Sequence, residues 1–213
     1  MKISVIMPCF LGDYEGCASN REEKLIRAIH SFNTQTHEDR ELVIVSDGCG
    51  DTIRVANQFN VDGNIRIVKM KKQPLFSGKL RDAGINNATG EVICYLDSDD
   101  VIGKGHLANI NGAFEANKHI DWLYYNDYIF KGHNEKRLVK IVELEHGSIG
   151  TSSIAHKKFK KNIFGRSKIS WRGCDGYGHD WTFIQKIIKA DLSYRKIAGC
   201  DYNICHMPNL FDK

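Results

Sequence analysis

Three apolar runs recur through the first half of the chain: Ile3-Ser4-Val5-Ile6-Met7, Leu42-Val43-Ile44-Val45 and Val92-Ile93-Cys94-Tyr95. They are nearly continuous rather than alternating, which is the pattern of strands buried on both faces of a parallel sheet. Between them lie segments with helical spacing. Leu25, Ala28, Ile29 and Phe32 share one face. Val55, Ala56 and Phe59 share another, a helix is expected from Gly78 to Ala88, and Leu107, Ile110 and Phe114 mark one over 103–117. With a further strand near Ile65 to Met70, residues 1–118 read as four β-α units. That order predicts an α/β fold: an open, mostly parallel, twisted sheet flanked by helices. Pro8 is expected to end the first strand, Asn20 to cap the first helix and Asp51 to cap the second.

From Trp122 the pattern changes. Longer strands are expected over 122–130 and 138–144 and a third over 150–155, giving a smaller mixed or antiparallel C-terminal part. A helix follows His179, and the tail from Tyr194 reads as one strand plus a loop. A length of 213 residues fits one domain, 1–213, made of a 1–118 half and a 119–213 half.

Ligands in open α/β sheets collect outside the carboxyl ends of the strands. Pro8, Asp47 and the stretch Leu96-Asp97-Ser98-Asp99-Asp100 all fall there. Three carboxylates after an apolar strand need a counter-charge. Two of them about 6 Å apart at an effective dielectric of about 20 repel by about 3 kcal/mol. A divalent cation with oxygen ligands reverses the sign. In extended backbone, Asp97 and Asp99 point the same way, so both can face one ligand.

Other motifs are incomplete. Gly48-Cys49-Gly50 follows a strand, but Ile53 occupies the place of a third fingerprint glycine. Gly78-Lys79 lacks both the upstream glycine of a phosphate loop and the following Ser or Thr. Cys200, Cys205 and His206 have no second pair at zinc spacing. A formal charge of +4 is too small to indicate nucleic acid. The local clusters Lys69, Lys71, Lys72 and Lys157, Lys158, Lys160, Lys161 would suit an anionic or membrane surface. Seven scattered cysteines indicate free thiols in a reducing compartment. Met1-Lys2 leads straight into a strand, and no apolar run approaches a membrane span. The expectation is a cytoplasmic protein, with the basic clusters suited to peripheral contact at the inner membrane face.

Taken in order, Val5-Ile6-Met7-Pro8-Cys9-Phe10, Ala28 to Gln35, Leu42 to Asp51, Arg81-Asp82-Ala83-Gly84-Ile85 and Thr89-Gly90-Glu91 through Asp100 resemble the family 2 glycosyltransferases, inverting nucleotide-sugar enzymes of GT-A fold. The resemblance implies a transferase moving a sugar from a nucleoside-diphosphate sugar to a hydroxyl of a carbohydrate or lipid-linked acceptor, in surface polysaccharide or glycan synthesis. It implies a donor half (1–118) and an acceptor and base half (119–213). Pro8, Phe10 and Asp47 would surround the base, with Lys79 and Arg81 near the base or diphosphate. Asp97 and Ser98 would lie at the ribose side, and Asp99 would hold Mn²⁺ or Mg²⁺, with Asp100 behind it or as an alternative ligand. His206 matches a late metal-binding histidine. Asp180 matches the general base, with an expected rise in its proton affinity beside a diphosphate. The match departs from the family at Ser46 and Cys49, at Asp82 in place of Asn, and at His179 in place of an acid. A second copy, as a homodimer, could complete the acceptor side. The other classes weighed are a sugar-nucleotide nucleotidyltransferase, which would need a basic Gly-rich loop that 12–16 lacks, and a non-catalytic nucleotide-sugar binder.

Overall fold

The computed structural model describes residues 1–15, 17–74, 77–131, 136–159, 169–176 and 178–205. Its first half alternates strands and helices: β1 (Ile3–Cys9), α1 (Arg21–Asn33), β2 (Arg40–Asp47), α2 (Gly50–Gln58), β3 (Ile65–Met70), α3 (Gly78–Asn87) and β4 (Val92–Tyr95). A short β5 (Val101–Ile102) and α4 (His106–Ala116) follow. The second half adds β6 (Trp122–Tyr125), β7 (Asp127–Lys131), β8 (Lys136–Lys140), β9 (Ile154–Lys157), α5 (His179–Lys189), β10 (Tyr194–Ile197) and β11 (Tyr202–Ile204).

Seven strands form one sheet in the order β10-β6-β9-β4-β1-β2-β3. β3, β2, β1 and β4 run parallel, and β9 enters antiparallel to both β4 and β6. The central strands are buried along their whole length, as their continuous apolar sequence requires. Their side chains still alternate between two cores. Ile3, Val5, Met7 and Cys9 face the layer of α1, α2 and α4, while Ile6 faces the layer of α3 and α5. On α1, Leu25, Ile29 and Phe32 are fully buried, worth about 1.5–3 kcal/mol each. Gly84 lets α3 lie close on β1: a Cβ there would come within 2.6 Å of Ile6 Cγ2.

A second sheet, β5-β11-β7-β8, packs beside the first. The expected long strand over 122–130 is split between the two sheets. It breaks at Asn126, whose side-chain oxygen accepts the Val142 N–H at 3.0 Å. Strand β8 ends at Lys140 rather than Leu144, and 151–153 forms one 3-10 turn before β9. The tail contributes two strands, where one was expected.

Three local expectations change. Pro8 lies inside β1. The Leu96 N–H bonds to the Ile6 carbonyl, so the even residues of β1 face β4. That pairing stops at Ile6, and the donor Pro8 lacks falls where no partner strand remains. Asn20 precedes α1 but makes no side-chain capping bond. Helix α2 starts at Gly50 with Cys49 at its cap position, which puts Asp51 in the first turn, where its charge suits the helix dipole.

Candidate functional site

The carboxyl ends of β1, β2 and β4 and the starts of α1, α3 and α5 enclose one cleft of about 470 Å³. Pro8, Phe10, Asp47, Arg81, Asp97, Ser98, Asp99 and Asp180, all singled out in the sequence, line it. Three strand ends and three helix starts, separated by up to 172 positions in the chain, thus deliver their polar groups to one place. Lys79 is not brought there. It is exposed, one position off the face of α3 that buries Leu80 and Arg81. His206 lies outside the described residues.

At the β2 end, Asp47 is buried and both oxygens are engaged. Lys72 Nζ bonds Oδ2 at 2.5 Å and the Gln73 amide bonds Oδ1 at 2.6 Å. The same ammonium lies 4.2 Å from the centre of the Phe10 ring. Phe10, Lys72 and Asp47 therefore make a flat, polar-edged corner.

Arg81 is the hub of the other end. It is almost wholly buried, and Nη2 donates to Asp97 Oδ1 at 2.9 Å. Nη1 lies 3.5 Å from Asp180 Oδ1 and also donates to Ser77 Oγ. The guanidinium sits over the Trp171 ring, 5.1 Å from its centre. His179 Nε2 lies 2.9 Å from both Arg81 Nη1 and Asp180 Oδ1. A proton on that nitrogen is donated to Asp180; without it, the nitrogen accepts from Arg81. Thr151 reaches Asp180 Oδ2 at 3.4 Å through its amide and its hydroxyl.

These contacts set the proton affinity of Asp180 in the free protein. Burial pushes the Asp180 carboxyl up, but the His179 bond and the Arg81 charge outweigh it and hold Asp180 at about 2. In the free protein Asp180 is therefore ionised at neutral pH. Gly178 holds the cap position of α5 with φ +89, so Asp180 is not the cap but a first-turn residue.

The Asp97–Asp100 turn divides its three acids. The Asp99 side chain reaches solvent, yet desolvation by the cleft walls and repulsion from Asp97 raise its pKa. Asp100 points the other way and is buried. It accepts the Tyr202 hydroxyl at 2.9 Å and the Cys205 amide at 2.8 Å. Both oxygens are occupied within the protein, which removes Asp100 as an alternative metal ligand. Burial, then Asp99 and Asp97, push its carboxyl well up.

Several lining residues were not anticipated: Tyr14, Arg21, Lys24, Ser77 and His179. Arg21 carries the loop after β1. Its Nη1 donates to the Gly12 carbonyl at 2.5 Å, and its guanidinium carbon lies 4.7 Å from the Tyr14 ring centre. Lys24 is nearly buried beside Asp99, one place from the apolar stripe of α1. Lys24, Ala28, Ser31 and Gln35 fall on one side at helical spacing, and a lysine leading that row was the available signal.

The donor set suits a hard divalent cation. Asp97 and Asp99 offer carboxylate oxygens at the cleft, and their mutual repulsion adds to burial in raising the proton affinity of Asp99. Among the described residues no group of three His, Cys, Asp or Glu side chains comes together around such a position. The remaining ligands would be water and ligand oxygens.

Fold and cleft together define an α/β domain with a cleft at its strand ends between acidic and basic side chains. The family model "Glycosyl transferase family 2" matches residues 4–190, and the chain belongs to that family. An uncharacterized glycosyltransferase of Nostoc sp. is 29% identical over 94% of this chain and 66% of its own length. The poly(ribitol-phosphate) β-N-acetylglucosaminyltransferase TarP of Staphylococcus aureus is 26% identical over 95% of this chain and 62% of its own. Among solved structures, S. aureus TarS 1–349 in complex with UDP-GlcNAc superposes with a TM-score of 0.72, at 17% identity, over 98% of this chain and 60% of that one. That likeness establishes the GT-A fold. The chain spans under two thirds of the length of these proteins. Among the described residues no helix is long and apolar enough to cross a membrane.

Proposed function

We propose that this chain transfers a sugar from a uridine diphosphate sugar to a hydroxyl of a carbohydrate or lipid-linked acceptor, with inversion, aided by Mn²⁺ or Mg²⁺. One observation carries the reading: Asp47, Asp97, Asp99 and Asp180 meet in a single cleft with Arg81 between them. The choice of uridine rests on the TarS complexes with UDP and UDP-GlcNAc.

In this reading the base stacks at Phe10 beside Pro8, and its imide N–H reaches Asp47, displacing Lys72 toward phosphate. Asp97 takes a ribose hydroxyl. Asp97 and Asp99 would hold the cation, which stabilises charge on the departing diphosphate when bound. Arg81, freed in part from Asp97, adds a second positive charge near those oxygens. Asp180 accepts the proton of the attacking acceptor hydroxyl. Its low proton affinity in the free protein is set by Arg81 and His179. Incoming diphosphate charge draws on Arg81 and raises Asp180 toward a useful base. Acceptor binding falls to the second half of the chain, around the N-terminus of α5.

A thermal-shift panel of nucleoside diphosphates and their sugars, with and without manganese, tests the donor class. Uridine diphosphate and one of its sugars should raise the melting temperature. Saturation at 100 times the dissociation constant corresponds to about 2.7 kcal/mol. A panel in which uridine nucleotides give no shift would reject the reading. Pyrophosphate release from nucleoside triphosphate and sugar phosphate would instead indicate nucleotidyl transfer.

A further inference from the structure

The Asp97–Asp100 turn is held from outside the nucleotide half. Tyr202, on β11, is fully buried 102 residues or more after the turn. Its hydroxyl accepts the Asp97 N–H at 3.0 Å and donates to Asp100 Oδ2 at 2.9 Å. One oxygen therefore joins the first and last residues of the turn, beside the turn's own Asp100 N–H to Asp97 carbonyl bond at 3.1 Å and an Arg27 guanidinium bond to the Asp99 carbonyl at 2.6 Å. The Cys205 amide fixes the second oxygen of Asp100. The ring is itself wedged. The His106 ring meets it edge-on at 6.2 Å, and β11 is hydrogen-bonded to β5 on one side and β7 on the other.

We propose that Tyr202 is a positioning residue for the donor site. Its hydroxyl sets the backbone direction at Asp97 and so aims the Asp97 and Asp99 carboxylates into the cleft, with buried Asp100 as the anchor. The inference rests on the donor reading above. Two geometric features favour it over plain packing. A buried tyrosine needs one hydrogen-bond partner, whereas this hydroxyl has two, at opposite ends of one four-residue turn. Asp100, the acid nearest the cleft acids in sequence, is committed to that hydroxyl rather than to the cleft. Strand β11, from the far end of the chain, thereby shapes the nucleotide half.

The test compares Tyr202→Phe with Tyr125→Phe. Tyr125 is an equally buried tyrosine whose hydroxyl bonds His106 and the Ile154 carbonyl without touching the turn. Tyr202→Phe should raise the donor KM about tenfold and speed amide exchange across residues 97–100. Tyr125→Phe should lower the melting temperature by a similar amount and leave both unchanged. Equal effects of the two variants, or an unchanged KM and unchanged exchange in Tyr202→Phe, would overturn the inference. Should Tyr202→Phe not fold, Asp100→Asn, which replaces one acceptor of the strap by a donor, carries the same comparison. If the wild-type chain neither binds nor turns over a nucleotide sugar, the functional reading fails, and the exchange data alone decide whether the strap holds the turn.

Discussion

The cleft contains two acidic regions built in opposite ways. The Asp97–Asp100 turn crowds three carboxylates together, and burial and mutual repulsion raise the proton affinity of Asp99 and Asp100. At the start of α5 a single carboxylate, Asp180, is surrounded by Arg81, His179 and Thr151 and held at about 2. The same side chain is thus pushed up by burial and like charge in one wall and held down by neighbouring positive charge in the other. Arg81 links the two, bonding Asp97 with one nitrogen and approaching Asp180 with the other. The two walls therefore shift their carboxyl pKa values in opposite senses, upward at Asp99 and downward at Asp180.

The contrast can be broken most severely at Asp180. Asp180→Asn should lower transfer by about 10²–10⁴-fold while donor binding persists, measured by turnover and by nucleotide titration on one preparation. Transfer at the parental rate would remove Asp180 from the chemistry. Next comes Arg81→Met, which leaves Asp97 and Asp180 facing each other without their shared cation. A loss of about 3–5 kcal/mol is expected in chemical denaturation, with Asp180 titrating higher. The turn itself separates by position. Asp100→Ala strands the Tyr202 hydroxyl and the Cys205 amide and should cost about 2 kcal/mol. Asp99→Ala relieves repulsion and should leave stability unchanged or raised, although donor binding falls.

The pH dependence has a definite sign. The native pKa of Asp180 is depressed below the unfolded value of about 3.9, so its contribution to stability is present above that value. It is lost as pH falls through about 2. The stability gap between the wild type and Asp180→Asn should therefore shrink as pH falls from about 4 to about 2. Asp99 has the opposite sign: its ionised form is disfavoured in the fold, and protonation there adds stability.

The sheet of the first half was readable because β1, β2 and β4 carry nearly continuous apolar runs and α1, α2 and α4 carry apolar stripes. Asp47, Asp97, Asp99 and Asp180 were readable as site residues because they sit at element ends in a recognisable order. The second half was harder. In the segment 122–130 the polar pair Asn126-Asp127 divides two apolar stretches, and Asn126 turns the chain from one sheet into another through a bond to Val142, a partner 16 residues away. The low proton affinity of Asp180 in the free protein was not legible for a related reason. Its neighbours Arg81 and Thr151 lie 99 and 29 residues away, and sequence spacing does not report such partners. Lys79 and Arg81 also look alike in sequence, and only the helix phase distinguishes the exposed one from the buried one.

The most direct measurement is calorimetric titration of uridine diphosphate into the wild-type protein and into Asp99→Ala, each with and without manganese. If the turn carboxylates grip the diphosphate through a cation, manganese will tighten binding to the wild-type protein and have little effect on the variant. Equal tightening in both proteins, or none in either, would contradict that arrangement.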